Sequence, residues 1–307
     1  MTSTAFLFPG QGSQKVGMGK DLYDQEPAAR AIYAQADEAL GQSLSTLCFE
    51  GPDEQLALTA NTQPAILTTS VAALAVLRER TGIVPTVALG HSLGEFSALV
   101  AVGALSFAQA VRLVRLRGEA MQQAVPTGQG SMAAIVGLSA EEVDEVCAEA
   151  AQGQVCAAAN ENGGGQIVAA GHAEAIERLC ALVKSRKKRA VPLKVSAPFH
   201  CALMEPAAQR LKEALDEIEI GPMTAPVISN VEAEPNDDPT RVKALLVRQV
   251  TERVRWEASV RKAVHMGAQR GVEVGHGKVL KGLVRRIAKD LPVLTAGSPS
   301  DIAVLEA

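Results

Sequence analysis

Residues 90–94 read Gly-His-Ser-Leu-Gly, a spacing that suits nucleophilic chemistry. An apolar run at 84–89 predicts a buried strand before them, and the apolar residues after them predict a helix. A serine on such a sharp strand-to-helix turn projects its hydroxyl out of the sheet. The amide of Leu93, at the helix start, would then face a developing oxyanion. We therefore interpret Ser92 as a nucleophile that carries an acyl group.

A serine hydroxyl needs a general base, and the sequence offers five histidines. His91 adjoins Ser92, so we expect its side chain to point elsewhere and to support the site. His172 and His265 lie in helical stretches without an obvious partner. On spacing alone the choice stays open between His200, at the end of an inserted segment, and His276, in a loop after a strand.

No acidic residue marks itself as a third catalytic member, so a backbone carbonyl or an amide could orient the imidazole and leave a dyad. Cys201 beside His200 offers a cysteine nucleophile as an alternative. Adjacent residues rarely face each other, and nothing in the sequence nearby marks an activated thiolate. We therefore favour the serine.

The positioning elements begin with a strand at 5–8 and a helical region at about 19–80. We expect Asn61 to cap the last helix of that region, Pro64 to lie in its first turn and Gly82 to end it. Ser106 opens the next helix through a capping box, and that helix runs to about Gln123.

Residues 128–196 differ from the rest of the chain in the order of their predicted strands and helices. Strands predicted at 131–138, 155–159, 166–170 and 191–195 and two helices, the first after a capping box at Ser139, follow the β-α-β-β-α-β order of a ferredoxin-like domain. Strands at 226–231, 272–274 and 292–295 then alternate with helices at 239–268 and 278–289. We predict an α/β, hydrolase-like large domain (1–127 and 197–307) with a mostly parallel sheet and an inserted small α+β domain (128–196).

Composition narrows the function classes. The chain has 307 residues, 47% of them hydrophobic, and a net charge of −4, which argues against a nucleic-acid partner. Its five cysteines form no C-x-x-C pair, which favours a reducing cytoplasm over disulfides or zinc. The start of the chain has no signal-peptide pattern, and the longest apolar stretch, 98–105, is too short to cross a membrane. We therefore expect neither a membrane nor a metal.

Two further motifs are explained by ordinary structure and predict no binding site. Residues 10–15 begin like a dinucleotide fingerprint, but Lys15 stands where the third glycine belongs, and no phosphate-binding P-loop occurs. The basic run at 184–189 is most simply a solvated helix end. A functional alternative is docking of an acidic partner protein or of a ligand that carries phosphate groups.

Several motifs together resemble the malonyl-CoA:acyl carrier protein transacylases of fatty-acid and polyketide synthesis. They span nearly the whole chain in order: 8–14 (Phe-Pro-Gly-Gln-Gly-Ser-Gln), 90–95, 117–121 (Arg-Gly-x-x-Met), 197–200 (Ala-Pro-Phe-His), Gln249, 254–260 and 273–278. The resemblance implies malonyl-CoA and an acyl carrier protein as partners and no cofactor or metal. We also expect a monomer.

The resemblance assigns roles to individual residues. It implies that Ser92 is the nucleophile, His200 the base, and the amides of Gln11 and Leu93 the oxyanion hole. The pocket residues are Arg117 as the clamp of the malonyl carboxylate, Gln249 with a carbonyl that orients the imidazole, Phe199 as a selector of malonyl, and His91. A guanidinium can grip a carboxylate with two parallel hydrogen bonds. Without the resemblance, the choice among Arg112, Arg115 and Arg117 stays open.

Three departures from the family pattern lie away from this set: His276 and Arg253, each in place of a frequent proline, and the loop 160–166. They concern loop shape and contacts to CoA or the carrier. Two rival hypotheses remain. One is an acyl hydrolase of related architecture, in which water attacks the acyl-enzyme. The other is a degenerate relative that only binds carrier proteins, against which Ser92, His200, Gln11 and Arg117 together argue.

Overall fold

The computed structural model describes residues 2–193, 195 and 197–306. In this part of the chain the strands are β1 (Thr4–Phe8), β2 (Val87–Gly90), β3 (Gly130–Val136), β4 (Cys156–Gly163), β5 (Gln166–His172), β6 (Arg189–Pro192), β7 (Val227–Ile228), β8 (Pro235–Asn236), β9 (Arg270–Val274) and β10 (Val293–Ala296). The α-helices are α1 (Lys20–Gln25), α2 (Pro27–Leu40), α3 (Leu44–Glu50), α4 (Asp53–Leu56), α5 (Thr59–Thr81), α6 (Gly94–Ala101), α7 (Phe107–Gln123), α8 (Ala140–Ala151), α9 (Ala173–Ser185), α10 (Glu205–Asp216), α11 (Pro239–Thr251), α12 (Trp256–His265), α13 (Val279–Ile287) and α14 (Pro299–Glu306).

The larger sheet has the strand order β10-β9-β1-β2-β7-β8, and all its pairs are parallel except β7 with β8. Every residue of β1 is buried, because helices cover both faces. Its side chains alternate: Phe6 and Phe8 enter one core cluster, and Ala5 and Leu7 enter the other. This confirms the predicted α/β class with a mostly parallel sheet.

The smaller sheet has the order β4-β5-β3-β6 with antiparallel pairs throughout, which is the ferredoxin-like arrangement. Its two faces differ in partner. Ala133 and Ile135 pack under α8 and α9, whereas Met132 and Ala134 join the core cluster of the large sheet. One face of the small sheet therefore lies over the large sheet. The domain limits themselves stay a prediction, and residues 194 and 196, near the second limit, lie outside the described residues.

The segment 253–255 joins the two sheets. Val254 donates its amide to the carbonyl of Ala159 on β4 and accepts from the amide of Glu161, both at 2.8 Å. The Arg253 guanidinium contacts Asp144 on α8 and donates to Glu161 at 2.6 Å. Arg253, one of the three departures from the family pattern, therefore ties the connection between α11 and α12 to the small sheet and to α8.

The prediction for the start of α5 is wrong. The helix begins at Thr59 after Leu58, with no side-chain cap, so Asn61 lies inside it and donates to the carbonyl of Gln55 at 2.8 Å. Pro64 also lies inside the helix, beyond its first turn, while Gly82 ends it with a φ of 65° as predicted. Local capping patterns failed here because α5 is a core helix, whose start is set by packing.

Helix α5 also bears on the membrane question. By length and hydropathy it passes the test for a membrane-spanning segment, whereas the sequence predicted no apolar stretch longer than 98–105. Of its apolar window, 83% is buried inside the protein. We therefore describe α5 as a core helix, because a buried core helix passes the same test.

Several other helices and strands differ from the predicted ones in their presence or in their bounds. Helices α10 and α14 were not predicted, β2 starts at Val87 rather than at 84, and β7 covers only two residues of the predicted strand 226–231. Strand β6 lies at Arg189–Pro192, earlier than the predicted 191–195, and part of that prediction falls on residue 194, outside the described residues. The capping boxes at Ser106 and Ser139 are confirmed.

Candidate active site

The turn between β2 and α6 holds Ser92 in an uncommon backbone conformation, with a φ of 51°. The Asn230 side chain fastens this turn: its Oδ1 accepts the Ser92 amide and its Nδ2 donates to the Gly90 carbonyl, both at 2.7 Å. A non-glycine residue with positive φ persists only where its surroundings hold it. Asn230, which follows β7, provides that support.

The Ser92 hydroxyl contacts the His200 imidazole, with an Oγ to Nε2 distance of 2.8 Å. On the other side of the ring, Nδ1 lies 2.7 Å from the backbone carbonyl of Gln249. A carbonyl only accepts, so Nδ1 carries the proton, and Nε2 presents its lone pair to the serine. His200 also has a positive φ, 59°, at the point where the chain has returned from the small sheet.

Burial and, to a lesser extent, the charge of Arg117 together lower the pKa of His200 to about 3, against a backbone hydrogen bond to Gln249 that raises it. An imidazole with so low a pKa is neutral throughout the physiological range. Its Nε2 is therefore free to take a proton at neutral pH.

Arg117 extends from α7 to the other side of Ser92 and is 1% exposed. Its Nη2 donates to Ser92 Oγ at 3.2 Å and to Gln249 Oε1 at 2.9 Å, and its Nη1 donates to Gln63 Oε1 at 2.7 Å. The guanidinium lies over the ring of Phe96, 5.6 Å from its centre. Among the described residues its Nε has no hydrogen-bond partner. Amide oxygens thus hold a buried cation beside the serine.

A cavity of about 250 Å³ lies between the two sheets over Ser92. Gln11, His91, Leu93, Arg117, Phe199 and His200 line it with Ser92, and Met132, Ala134 and Val168 close it from the small sheet. Gln249 lies beneath, in contact with both His200 and Arg117. The structure thus brings together every residue that the sequence assigned to the site.

The backbone amides of Gln11 and Leu93 indicate an anion-binding site in this cavity. Ser92 donates its own amide to Asn230, but in the part of the chain that the structure describes the amides of Gln11 and Leu93 donate no hydrogen bond. Leu93 precedes the first turn of α6, where the helix dipole favours negative charge. An oxyanion formed on a carbon attached to Ser92 would meet unpaired donors.

His91 lies on the rim of the cavity. Its Nε2 is 2.8 Å from Asn162 Oδ1 on β4, and its ring packs against Trp256, with 5.6 Å between ring centres. Burial lowers the pKa of His91. His91 thus joins the elbow to strand β4 of the small sheet, which extends over part of the predicted loop 160–166.

The competing residues lie elsewhere or lack reactivity. His276 lines a separate surface cavity with Asp21 and Lys278, so it does not reach Ser92. The Cys201 thiol donates to the Pro198 carbonyl, and burial raises its pKa to about 11, which disfavours a thiolate. Arg115 donates to Asn61 at 2.5 Å, away from the serine.

Sequence reasoning missed Asn230, Gln63, Asn162 and Glu95. Glu95 belongs to the 90–95 motif and Asn162 to the segment 160–166, but neither position predicted a hydrogen bond to a residue of the site. Asn230 and Gln63 reach the site from segments far away in the chain, and no local spacing could have revealed them. Within the described residues, no group of three His, Cys, Asp or Glu side chains could hold a metal ion.

Gly94→Ala is expected to disrupt the elbow. A Cβ at Gly94 would lie 2.0 Å from the backbone oxygen of Phe8 on β1, so α6 would have to move and carry the Leu93 amide with it. We expect about a 100-fold slower acylation of Ser92, the usual cost of a small misplacement at a reacting centre. The control is Gly282→Ala in α13, where a Cβ meets nothing within 4 Å. Equal rates in both variants would contradict the prediction.

Comparison with known proteins places this geometry in a family. The profile of the acyl transferase domain family matches residues 5–298. The malonyl CoA-acyl carrier protein transacylase of Bacillus subtilis is 49% identical over 98% of this chain and 96% of its own length. That of Escherichia coli K12 is 47% identical over 99% of this chain and 98% of its own.

Solved structures agree with these relatives. An acyl-carrier-protein S-malonyltransferase from Bartonella henselae has a TM-score of 0.96 at 46% identity, with both chains fully covered. A malonyl-transacylase solved in complex with its type II PKS acyl carrier protein has a TM-score of 0.96 at 43% identity, with 99% of each chain covered. The sequence resemblance is therefore confirmed: this chain belongs to the malonyl-CoA:acyl carrier protein transacylase family of acyl transferase domains.

Proposed function

We propose that this protein transfers a malonyl group from malonyl-CoA to the phosphopantetheine thiol of an acyl carrier protein, through an ester on Ser92. The position of the Ser92 hydroxyl carries the proposal: Oγ lies 2.8 Å from His200 Nε2 and 3.2 Å from Arg117 Nη2. A base and a fixed cation at one serine suit an acyl group that bears its own carboxylate. The names of the relatives and the carrier-protein complex support the same donor and acceptor.

In the first half-reaction His200 Nε2 takes the Ser92 proton while Oγ attacks the thioester carbonyl of malonyl-CoA. The oxyanion of the tetrahedral intermediate accepts from the amides of Gln11 and Leu93. The carbon–sulfur bond then breaks, and the imidazolium returns its proton to the departing CoA sulfur. The Gln249 carbonyl, bonded to Nδ1–H, keeps the ring in the required tautomer throughout.

The second half-reaction repeats these steps with a different thiol. The phosphopantetheine sulfur of the carrier protein loses its proton to His200 and attacks the malonyl ester. The ester bond to Ser92 breaks, and the serine oxygen recovers the proton. The amides of Gln11 and Leu93 again accept the oxyanion. Both halves use one base and one set of donors, so the reaction runs without a cofactor.

Arg117 supplies the preference for malonyl. Its guanidinium is buried and is held on two sides by the amide oxygens of Gln63 and Gln249. Because it is already ordered, the side chain loses little conformational entropy when it binds a carboxylate. Burial lowers the pKa of Arg117 to about 10, opposed by the charge of Glu95, so it stays cationic at neutral pH. Phe199 and Met121 border the space beside the acyl chain and limit its size.

The test is intact-mass analysis after mixing the protein with malonyl-CoA alone. A malonyl adduct that decays slowly, and that a phosphopantetheinylated carrier protein discharges, is the expected result. The matched control is the same carrier protein without phosphopantetheine, which should leave the adduct in place. Steady release of CoA with no adduct would instead support the hydrolase. If the protein forms no adduct and releases no CoA, the proposal of malonyl-CoA as substrate is contradicted.

Two expectations stay predictions beside this proposal. A monomer would be checked by light scattering of the purified protein. A cytoplasmic location would be checked by fractionation of cells that express it. Neither enters the mechanism.

A further inference from the structure

Glu95 is a buried carboxylate that the mechanism above does not use. It lies in the first turn of α6, three residues after Ser92, and is 3% exposed. Carboxylates are almost never buried so completely unless they are bound by donors. The hydrogen bonds that hold it come from Gln249 and from the backbone of Asn230.

A single oxygen of Glu95 accepts two hydrogen bonds. Oε2 accepts from Gln249 Nε2 at 2.7 Å and from the backbone amide of Asn230 at 3.0 Å. Asn230 is the residue that fastens the Ser92 turn. Gln249 is the residue whose backbone carbonyl holds the His200 imidazole. The carboxylate therefore anchors the supports of both reacting side chains.

Glu95 also fixes which way the Gln249 amide points. Gln249 Nε2 donates one hydrogen to Glu95 and the other to the Ser92 carbonyl, at 3.1 Å. Both donors are used, so the amide oxygen is left to face Arg117 Nη2, at 2.9 Å. Were the amide reversed, its NH₂ group would oppose the guanidinium, donor against donor. Glu95 thereby sets an acceptor that holds Arg117.

The charge of Glu95 acts on the same arginine. Arg117 is the one charged group that shifts the pKa of Glu95 among the described residues, and it lowers that pKa. Burial outweighs it and raises the pKa to about 7. Above that pH the carboxylate is an anion, and one side-chain amide, that of Gln249, separates it from the guanidinium that a malonyl carboxylate would bind.

We propose that Glu95 is a positioning residue of the transfer reaction: it orients Gln249 and Asn230, and its negative charge moderates the attraction of Arg117 for the substrate carboxylate. The proposal rests on the proposed function for its second half only. The first half concerns the placement of Ser92, His200 and Arg117, which any reaction at this serine would need.

Two substitutions separate the two halves. Glu95→Gln keeps an oxygen where two donors converge and removes the charge, so the Gln249 amide stays in place. Glu95→Ala removes the acceptor as well and lets that amide turn. Leu99→Ala, one turn later in α6 and buried, is the matched control for a loss of packing in the same helix.

The first readout is labelling of Ser92 by phenylmethylsulfonyl fluoride, which needs no acyl-CoA. The serine oxygen bonds to sulfur, fluoride leaves, and His200 takes the proton. We expect labelling about 100-fold slower in Glu95→Ala, the usual cost of a misplaced reacting group, and close to wild type in Glu95→Gln and Leu99→Ala. Labelling slowed equally in Glu95→Gln and Glu95→Ala would overturn the positioning role.

The second readout is the ratio of kcat/KM for malonyl-CoA to that for acetyl-CoA, measured at pH 8, where Glu95 is ionised. The ratio in Glu95→Ala should lie below that of Glu95→Gln, because both variants lose the charge but only Glu95→Ala also takes from Arg117 its held acceptor. The ratio should rise about three- to tenfold in Glu95→Gln, because the malonyl carboxylate becomes the main counter-ion of Arg117. A merely structural residue would leave the ratio unchanged, as Leu99→Ala should.

The outcomes keep the two proposals apart. If the wild type is labelled but transfers no malonyl, the proposed function fails and the labelling rates alone judge Glu95. If Glu95→Ala does not fold, Glu95→Gln still decides: wild-type labelling with a raised ratio supports the proposal. Slow labelling, or an unchanged ratio in an enzyme that transfers malonyl, overturns it.

Discussion

Ser92→Ala is expected to abolish the malonyl adduct and to lower transfer by about 10⁴-fold or more, the scale seen when a nucleophile is removed from a serine dyad or triad. The reason is that no other group occupies its place. Cys201 is held as a thiol by a pKa of about 11 and donates to the Pro198 carbonyl. Intact mass after incubation with malonyl-CoA measures the adduct, and release of CoA measures turnover.

The matched control is Ser97→Ala. Ser97 is buried in α6, five residues after Ser92, and its Oγ has no hydrogen-bond partner within the described part of the chain. Its loss should leave both adduct and turnover at wild-type levels. A malonyl adduct that persists in Ser92→Ala would show that another residue carries the acyl group, and the whole mechanism would then fail.

Arg117→Ala is expected to lower kcat/KM for malonyl-CoA by about 100- to 1,000-fold, the range for truncating one partner of a buried charge pair. Acetyl-CoA, which lacks the free carboxylate, should lose no more than about tenfold. The lesser loss reflects the hydrogen bond from Nη2 to Ser92 Oγ and the contacts with Gln63 and Gln249. Steady-state kinetics with both acyl donors measures the split.

Two further variants sharpen this result. Arg115→Ala, on the same helix but bonded to Asn61, should leave the ratio of malonyl to acetyl transfer unchanged. Arg117→Lys keeps the charge without the planar fork, so its malonyl activity should fall between wild type and Arg117→Ala. Equal losses for malonyl and acetyl transfer in Arg117→Ala would remove the carboxylate clamp from the mechanism.

Periodic and local patterns in the sequence predicted much of the fold. The alternation of the small-sheet helices and strands, the capping boxes at Ser106 and Ser139 and the buried strand before Ser92 all depend on neighbours within a few residues. The α/β class followed from their order along the chain. Asn61 failed as a cap because α5 is surrounded by the core, where packing overrides capping preference.

The pairing of Ser92 with His200 is of a different kind. Spacing left His200 and His276 in competition, and resemblance to a family, rather than any local pattern, selected between them. In the structure His200 lies 2.8 Å from Ser92, while His276 lines another cavity. The same holds for Arg117 against Arg115, which differ by two positions on one helix and therefore point in different directions.

The elbow around Ser92, the order of the elements and the small set of side chains able to act there could thus be predicted from the sequence. The folded chain adds supports that no local pattern indicated. Asn230 holds the Ser92 turn from the segment after β7, Gln63 holds Arg117 from α5, and Glu95 holds Gln249 from α6. The physical reason is range: turns and helices form from contacts a few residues apart, whereas a buried hydrogen-bond network joins whatever polar groups the packed core brings within about 3 Å.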